Sequence, residues 1–306
     1  MSNSTKRRNV VRLILAWYRR NGRVLPWRNI SNPYRILVSE IMLQQTHVRR
    51  VLVKYPEFLR RFPSLRALAA AKRSEVIVAW RGMGYNNRAV RLHRFAQAVA
   101  GQYRGRIPRS LDELRALPGI GRYTAHALLS SAFGMQLPVV DVNVQRVLSR
   151  IFWRMESIAA VRKSAEIWQL AADLLPEGKA YDWNQALMDF GATLCTARNP
   201  VCAVCPVAGV CASRARMKRK TLRPRHPEPA MDGTPNRFYR GRIIEHLRTI
   251  TNSRGVRLDL LGRRIHPKFS RRHEPWLRSL IAGLQRDGLV RVRTAGTPQT
   301  VWIGLA

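Results

Sequence analysis

Every cysteine of the chain falls in one short window, Cys195, Cys202, Cys205 and Cys211, with the spacing C-x6-C-x2-C-x5-C. Four thiolates this close in sequence can share one metal centre. A four-cysteine zinc site usually shows two C-x2-C knuckles. One knuckle flanked by longer loops suits a cubane [4Fe–4S] cluster better. Zinc is the alternative occupant, and a disulfide pair or four unrelated buried thiols are the plainer readings. Disulfides are disfavoured: residues 1–20 hold no long uncharged apolar stretch, so no secretory leader is expected.

A second chemistry lies in two isolated acids. Glu40 sits inside Ile36-Leu-Val-Ser-Glu-Ile-Met-Leu-Gln-Gln-Thr46, and only Glu57 and Glu75 join it before Asp112. On a helix it would share or border an apolar stripe with Ile36, Leu37 and Leu43, where carboxylates rarely sit without a partner or a task. Asp141, in Pro138-Val-Val-Asp-Val-Asn-Val-Gln-Arg146, is the only acid between Glu113 and Glu156. Its plain role is to cap a helix, a role Asn143 could share. Two carboxylates, one of them partly buried, fit cleavage of a glycosidic bond: one protonates the leaving group, while the other stabilises an oxocarbenium-like sugar or guides a water. No lysine occurs between Lys72 and Lys163, so a Schiff-base nucleophile is absent from both motifs. Between helical stretches lies Leu117-Pro-Gly-Ile-Gly-Arg-Tyr-Thr124. Gly119 and Gly121 allow a tight hairpin whose amides, at the start of a helix, can bind a phosphate, with Arg122 adding charge. A helix–turn–helix corner that uses glycine for geometry alone is the competing reading.

Composition says what these groups would meet. The chain has 55 Lys plus Arg against 18 Asp plus Glu, a formal charge of +37. A globular protein this basic repels itself unless it neutralises a polyanion, so nucleic acid leads as partner. No run of 18 apolar residues exists to span a membrane, and no membrane partner is expected. Residues 1–211 carry 33 basic and 12 acidic side chains, and residues 212–306 carry 22 and 6, so both parts should touch the polyanion. Arginine outnumbers lysine, which favours forked contacts to phosphate, although arginine-rich compositions arise without function too.

The elements that must position these residues follow from periodicity. Apolar residues recur at helical spacing in Val10–Tyr18, Ile36–Thr46, Leu65–Trp80, Ala89–Val99, Thr124–Phe133, Val144–Phe152 and Ser164–Leu175. Almost no period-2 alternation appears before residue 250, so the first two-thirds reads as all-α. Arg214–Met231, charged and Pro-rich, reads as a linker. Beyond it Arg240–Thr249 and Trp276–Asp287 predict helices. Gly288–Arg293 and Thr300–Gly304 predict two small strands joined by the turn Ala295-Gly-Thr-Pro298. Helices followed by a hairpin resemble a winged helix.

With these motifs in place, the chain resembles the helix-hairpin-helix DNA glycosylase superfamily with an iron–sulfur cluster, and within it the adenine glycosylases of the MutY type. The matching stretches are Leu25–Arg28, Ile36–Thr46, Trp80–Ala89, Leu117–Ala125, Val139–Val147 and Trp183–Cys195, followed by the cysteine window; together they cover roughly residues 8–213. The resemblance implies a mostly α fold: a two-domain helix-hairpin-helix core with its cluster loop, plus a small winged-helix-like α/β module. It assigns residues 1–24 with 141–213 to a cluster domain and 25–140 to a helical barrel bearing the hairpin. Residues 214–236 form the linker and 237–306 the module. The active cleft is expected between the two α-domains.

Carried across by position, Glu40 is implied as the acid that protonates the leaving base, and Asp141, with Asn143 nearby, as the stabiliser of the sugar cation. Tyr123 stands where bifunctional relatives carry their lysine, which implies a monofunctional enzyme. Gln44 and Gln45 match residues that probe the opened helix, and Trp27, Arg28 and Gln185 match positions around the flipped base. The expected reaction is excision of a mispaired base, adenine opposite guanine or 8-oxoguanine being favoured. The expected partner is mismatched or lesion-bearing double-stranded DNA, met by a monomer in the cytoplasm at the nucleoid. Thymine or a modified pyrimidine opposite guanine is the alternative, and a non-catalytic iron–sulfur DNA-binding regulator the third reading. The chain departs from the family at Val142, where glycine is common, and at its C-terminus, where a longer Nudix-like domain is usual. Arg271, Arg272 and Arg278 lie before or at the opening of the module's predicted helix. The module is therefore expected to clamp duplex DNA, with dimerisation as the competing use.

Overall fold

The computed structural model describes residues 2–153, 164–214, 228–250, 254–295 and 300–306. They form two compact units: Met1–Glu40, Pro108–Ala116 and Ile120–Arg223 make the first, and Ile41–Ile107, Leu117–Gly119 and Pro224–Ala306 the second. Most of the expected linker, and the turn 296–299 between the last two strands, lie outside the described residues.

The first unit holds α1 (Asn3–Asn21), α7 (Leu111–Ala116), α8 (Arg122–Phe133), α9 (Val142–Trp153), α10 (Ser164–Asp173) and α11 (Ala180–Thr193). Its core follows from helical periodicity. Val10 and Ile14 of α1, Val144, Val147, Leu148 and Ile151 of α9, and Trp183, Leu187 and Phe190 of α11 are all buried in one cluster. Each such side chain contributes roughly 1.5–3 kcal/mol by leaving water. Trp17 meets Phe190 edge-on at 5.3 Å between ring centroids. The approach of α11 to α9 depends on Gly191, where a Cβ would lie 2.8 Å from Cβ of Asn143.

The second unit begins within α2 (Pro33–Leu43) and continues through α3 (Val48–Arg61), α4 (Leu65–Ala70), α5 (Arg73–Ala79) and α6 (Asn87–Gln102). Phe58 packs edge-on against the buried Trp80, 5.7 Å between centroids. The C-terminal part of this unit runs through a short hairpin of β1 (Ala230–Met231) and β2 (Thr234–Pro235), then α12 (Asn236–Leu247) and β3 (Val256–Arg257). It continues with α13 (Leu258–Ile265), α14 (Glu274–Arg286), β4 (Val290–Ala295) and β5 (Thr300–Leu305). The last three strands form an antiparallel sheet in the order β3-β5-β4, with Val256 opposite Ile303 and Val292 also opposite Ile303. Helix, strand, two helices and a closing hairpin make the expected winged helix. Its core is continuous with the helical part of the unit: Ile77 of α5 and Val90 of α6 cluster with Ile243, Ile244, Leu277 and Leu289. Arg248, its side chain 1% exposed, donates to the carbonyl of Ile77 at 2.9 and 3.1 Å and to Oδ1 of Asn86 at 3.0 Å.

Periodicity placed most helices but not all of them. The predicted run Leu65–Trp80 is two helices, because the Glu75 carboxylate accepts from the backbone amide of Lys72 at 2.9 Å and starts α5 afresh. The predicted Ile36–Thr46 ends at Leu43, and Gln45 has φ of +53°. α3, α7, α11 and α13 were not predicted. α3 carries Pro56 in its interior, which costs a helix about 3 kcal/mol, yet Val51, Tyr55 and Phe58 bury its inner face. α13 is interrupted in sequence by Gly262 and is held instead by buried Leu258, Leu261 and Ile265.

One ion cluster fastens the first unit. Asp189 of α11 has no exposed side-chain surface, and its oxygens accept from Arg28 at 2.7 and 2.8 Å and from Arg23 Nε at 2.8 Å. Burial alone would raise its pKa, but the bonds from Arg28 and Arg23 prevail and hold the carboxyl below its usual value. Asp189→Asn is expected to leave Arg28 buried without its counter-charge and to destabilise the chain by about 3–5 kcal/mol. The check is the denaturant midpoint at neutral pH. The difference should narrow as pH falls through the depressed carboxyl titration, where wild type loses the same charge.

Candidate active site and cluster loop

Glu40 lies three residues from the end of α2 and is buried, 8% exposed. Tyr123, in the first turn of α8, donates its hydroxyl to Oε2 of Glu40 at 2.7 Å. Burial pushes the Glu40 carboxyl up to about 7; the Tyr123 hydrogen bond opposes the shift, the Asp141 charge adds to it, and the Arg28 charge opposes it. Tyr123 is itself raised well above its ordinary value, first by burial and then by Glu40 and Asp141, so it stays a phenol and a donor. A carboxyl that titrates near neutrality can both give and take a proton under ordinary conditions.

Asp141 has the opposite surroundings. It caps α9: Oδ1 accepts from the amides of Asn143 at 2.9 Å and Val144 at 2.7 Å. Its Oδ2 accepts from Nδ2 of Asn143 at 2.7 Å. The capping role is therefore realised, but by Asp141 alone; Asn143 orients the carboxylate instead of sharing the cap. Oδ1 of Asn143 in turn accepts from Arg146 at 2.9 Å, and Arg146 also donates to the carbonyls of Gly191 at 2.7 Å and Cys195 at 2.9 Å. A continuous chain of hydrogen bonds thus runs from Asp141 to the first cysteine.

The other expected site residues fall into three groups. Trp27, Arg28 and Gln185 are all buried in the first unit. The Arg28 guanidinium is held by Asp189, so it bears on Glu40 through its charge. In the hairpin, Gly119 has φ of +81°, and a Cβ there would lie 2.9 Å from Cβ of Arg91. Gly121 is extended and its missing side chain would meet nothing within 4 Å, which leaves the amide end of α8 open to an approaching group. Arg122 is exposed and stacks its guanidinium over Trp168, 3.9 Å from the ring centroid.

Gln44 and Gln45 belong to the second unit, and sequence reasoning missed what holds them. Arg88, buried in α6, donates to the carbonyls of Ile41 and Met42 at 2.9 Å, to that of Gln44, and to Oγ1 of Thr46 at 2.9 Å. It also donates to the carbonyls of Met83 at 3.1 Å and Gly84 at 3.2 Å. One guanidinium thus satisfies the orphan carbonyls at the end of α2 and clamps the neighbouring turn. Tyr85 in that turn is 59% exposed with φ of +43°. The available signal was an arginine on the apolar face of a helix, the same kind of signal that exposed Glu40. Asp189 gave it too, between Leu187 and Phe190.

The cysteine loop is pinned to α9. The amides of Ala212 and Ser213 donate to the carbonyls of Ile151 and Arg150 at 3.0 and 3.1 Å, and the Arg150 guanidinium reaches the carbonyls of Thr196 at 2.7 Å and Ala197 at 3.0 Å. All four cysteines are free thiols and line one cavity with Arg150, Ile151, Phe190, Leu194, Pro200, Val201, Val207 and Ser213. Burial pushes the Cys205 thiol up to about 11, and its cysteine neighbours add to the shift. Four thiols that raise one another in a largely apolar pocket become thiolates together around a cationic centre, with the Arg150 guanidinium 3.5 Å from Cys195 Sγ, and this donor set fits a [4Fe–4S] cluster. Among the described residues no helix is long and apolar enough to cross a membrane.

Known proteins match this arrangement. Residues 38–172 match the HhH-GPD superfamily of base excision DNA repair proteins, and residues 195–211 the iron–sulfur binding domain of endonuclease III. An adenine DNA glycosylase of Mycobacterium tuberculosis is 40% identical over 236 residues, covering 77% of each chain. The human adenine DNA glycosylase is 39% identical over 218 residues, 68% of this chain but 40% of that protein's length. A thermostable thymine-DNA glycosylase structure superposes with a TM-score of 0.66 at 33% identity, covering 71% of this chain and all of its own. An endonuclease III–DNA complex shares the fold, with a TM-score of 0.62 at 22% identity and 71% of this chain covered. The purified protein should be brown, with broad visible absorbance that Cys202→Ser removes; a colourless wild type from an anaerobic preparation would contradict the cluster. By motif, fold and cysteine loop, the chain belongs to the HhH-GPD superfamily of base excision DNA repair proteins, in its iron–sulfur-bearing family of DNA glycosylases.

Proposed function

We propose that the protein is a monofunctional glycosylase that removes adenine mispaired with guanine or 8-oxoguanine. The observation that carries the chemistry is the buried Glu40 carboxyl, held by the Tyr123 hydroxyl and in the field of an Asp141 carboxylate that the amides of Asn143 and Val144 fix in place. Glu40 donates its proton to the leaving base as the glycosidic bond breaks. Asp141, whose oxygens are held by Asn143 and Val144, faces the developing sugar cation without becoming a nucleophile of adjustable position. Water completes the sugar, and its proton returns to the Glu40 carboxylate. Tyr123 keeps Glu40 oriented through its hydroxyl. Trp27 and Gln185 line the base, Gln44, Gln45 and the exposed Tyr85 meet the opened duplex, and the Gly119–Gly121 hairpin takes a phosphate on its amides. The cluster loop, tied to Asp141 through Arg146, supports this geometry.

The relatives named adenine DNA glycosylase support adenine as the excised base. The 33% identity to a thymine-DNA glycosylase supports a second reading, thymine opposite guanine. A panel of duplexes with each mismatch in turn decides between them: base release from A·G and A·8-oxoguanine alone fits the first reading, and release from T·G the second.

Glu40→Gln should lower single-turnover base release by on the order of 10²–10⁴-fold while DNA affinity changes little. Wild-type rate should fall as pH rises through about 7, where Glu40 loses its proton. The same substitution should stabilise the fold. The folded chain keeps this proton up to about pH 7, whereas an unfolded glutamate loses it near 4.5, so folding is penalised above 7. An amide escapes the penalty, and Glu40→Gln should gain about 3 kcal/mol above pH 7 and nothing below pH 4. Near-normal turnover in the variant would remove Glu40 from the acid role.

With tyrosine rather than lysine at position 123, the product should be an intact abasic site that breaks only on heating with alkali. Borohydride should trap no covalent protein–DNA adduct; a trapped adduct would assign lyase chemistry to another amine.

A further inference from the structure

The winged-helix module lies beyond both family matches, residues 38–172 and 195–211. From its surface we infer that α14 and the neighbouring basic loop form a second duplex-DNA contact, gripping phosphates without reading sequence. This rests on the DNA-repair reading above for its ligand, but not on which base is excised.

Charge accounting inside the module comes first. Residues 237–306 contain only four acids, Glu245, Asp259, Glu274 and Asp287. Each is already engaged by arginine: Glu245 by Arg81 and Arg248, Asp259 by Arg257, Glu274 by Arg278, and Asp287 by Arg240. These pairs occupy all four acids of the module. Arg278, expected from sequence to meet DNA, is drawn into the pair with Glu274 at 2.7 Å.

Five cations are gathered beside one helix. Arg263, Arg264, Lys268, Arg271 and Arg272 are exposed along the end of α13 and the turn into α14. α14 buries Leu277, Leu280, Ile281 and Leu284 against the module core. Its opposite row, Pro275, Ser279, Ala282 and Gln285 with Arg286, is exposed and carries no acid and no bulky apolar side chain. On the hairpin that follows, Arg293 is exposed as well. Small and polar residues along a helix, flanked by arginines at both ends, let the helix approach a groove while the arginines take backbone phosphates. A stable self-association face needs an apolar centre, which this row lacks. The anchoring of the module through Ile77, Val90 and Arg248 fixes this face on the helical part of its own unit. A rigid second contact adds affinity without a further ordering cost.

The test uses the full chain carrying Arg271→Ala, Arg272→Ala and Arg286→Ala together, titrated against an undamaged duplex of about 30 base pairs from low to moderate salt. Removing three phosphate contacts should make the salt dependence of log K shallower by about 2.7, at about 0.9 per contact. Affinity at 0.1 M salt should fall by on the order of a hundredfold, equally for matched and mismatched duplexes, while single-turnover base release at saturating enzyme stays unchanged. Ser279→Glu adds one negative charge to the middle of the row with a residue that favours helix, and should weaken duplex binding by about tenfold with no loss of thermal stability. Unchanged slope and affinity in both variants would overturn the inference. So would light scattering that shows a wild-type dimer split by either variant, which would assign the row to self-association. A wild-type chain that binds duplex with the steep slope, loses it in the variants and releases no base would instead sink the excision reading and leave this one standing.

Discussion

The cost of burying a charge organises this protein. Three acids of the first unit meet three environments, and each environment sets a different state. Asp189 is wholly enclosed but receives two guanidinium groups, so it stays ionised and acts as a fastener. Asp141 stands at a helix start where amides and Asn143 satisfy both oxygens, so its charge is fixed in place. Glu40 is buried with one phenol as its hydrogen-bond donor and another carboxylate in its field, and it keeps its proton up to about pH 7. Glu40 raised by burial and Asp189 held down by its arginines divide acid from anion without any difference in chemistry. The unit is less stable for it, because Glu40 would be a better core residue as an amide.

Much of this was legible in the sequence, and the reason is the scarcity of acids. In a chain with 18 of them, an acid inside an apolar frame stands out, and Glu40 and Asp141 were found that way. The cysteine window was legible because four soft ligands in seventeen residues admit few uses. Asp189 met the same criterion and was passed over, since its partners Arg23 and Arg28 lie more than 160 residues away and no local pattern announces them. Two of the helices that periodicity missed carry a residue that contradicts the period: Pro56 hid α3 and Gly262 hid α13, although burial of their apolar faces overrides both. Glu75 divided a helix that periodicity reads as continuous, because a cap acts through one side chain.

The arginines were the part most easily misread from composition. A charge of +37 invites the view that every arginine faces a polyanion. Several instead face inward. Arg88 closes the end of α2, Arg146 and Arg150 collect the carbonyls that lead into the cysteine loop, and Arg248 seats the winged helix on α5. Each reaches backbone carbonyls that irregular chain ends would otherwise leave unsatisfied in the interior, a task that a guanidinium with five donors performs and a lysine cannot. Burial lowers the pKa of Arg88 to about 10 and that of Arg146 and Arg248 below their usual value, yet none loses its proton near neutrality.

The basic surface is therefore narrower than the net charge suggests, and its placement carries more meaning than its size. Arginines that hold carbonyls are committed to the fold; those paired with Glu274, Asp287 and Asp259 are largely neutralised at the surface. Of the other cations, Arg263, Arg264, Lys268, Arg271 and Arg272 line the approach to α14, and Arg242, Arg254 and Arg293 are exposed elsewhere on the module. Five cations beside a helix row made of serine, alanine and glutamine give that row the chemistry of a phosphate-lined groove.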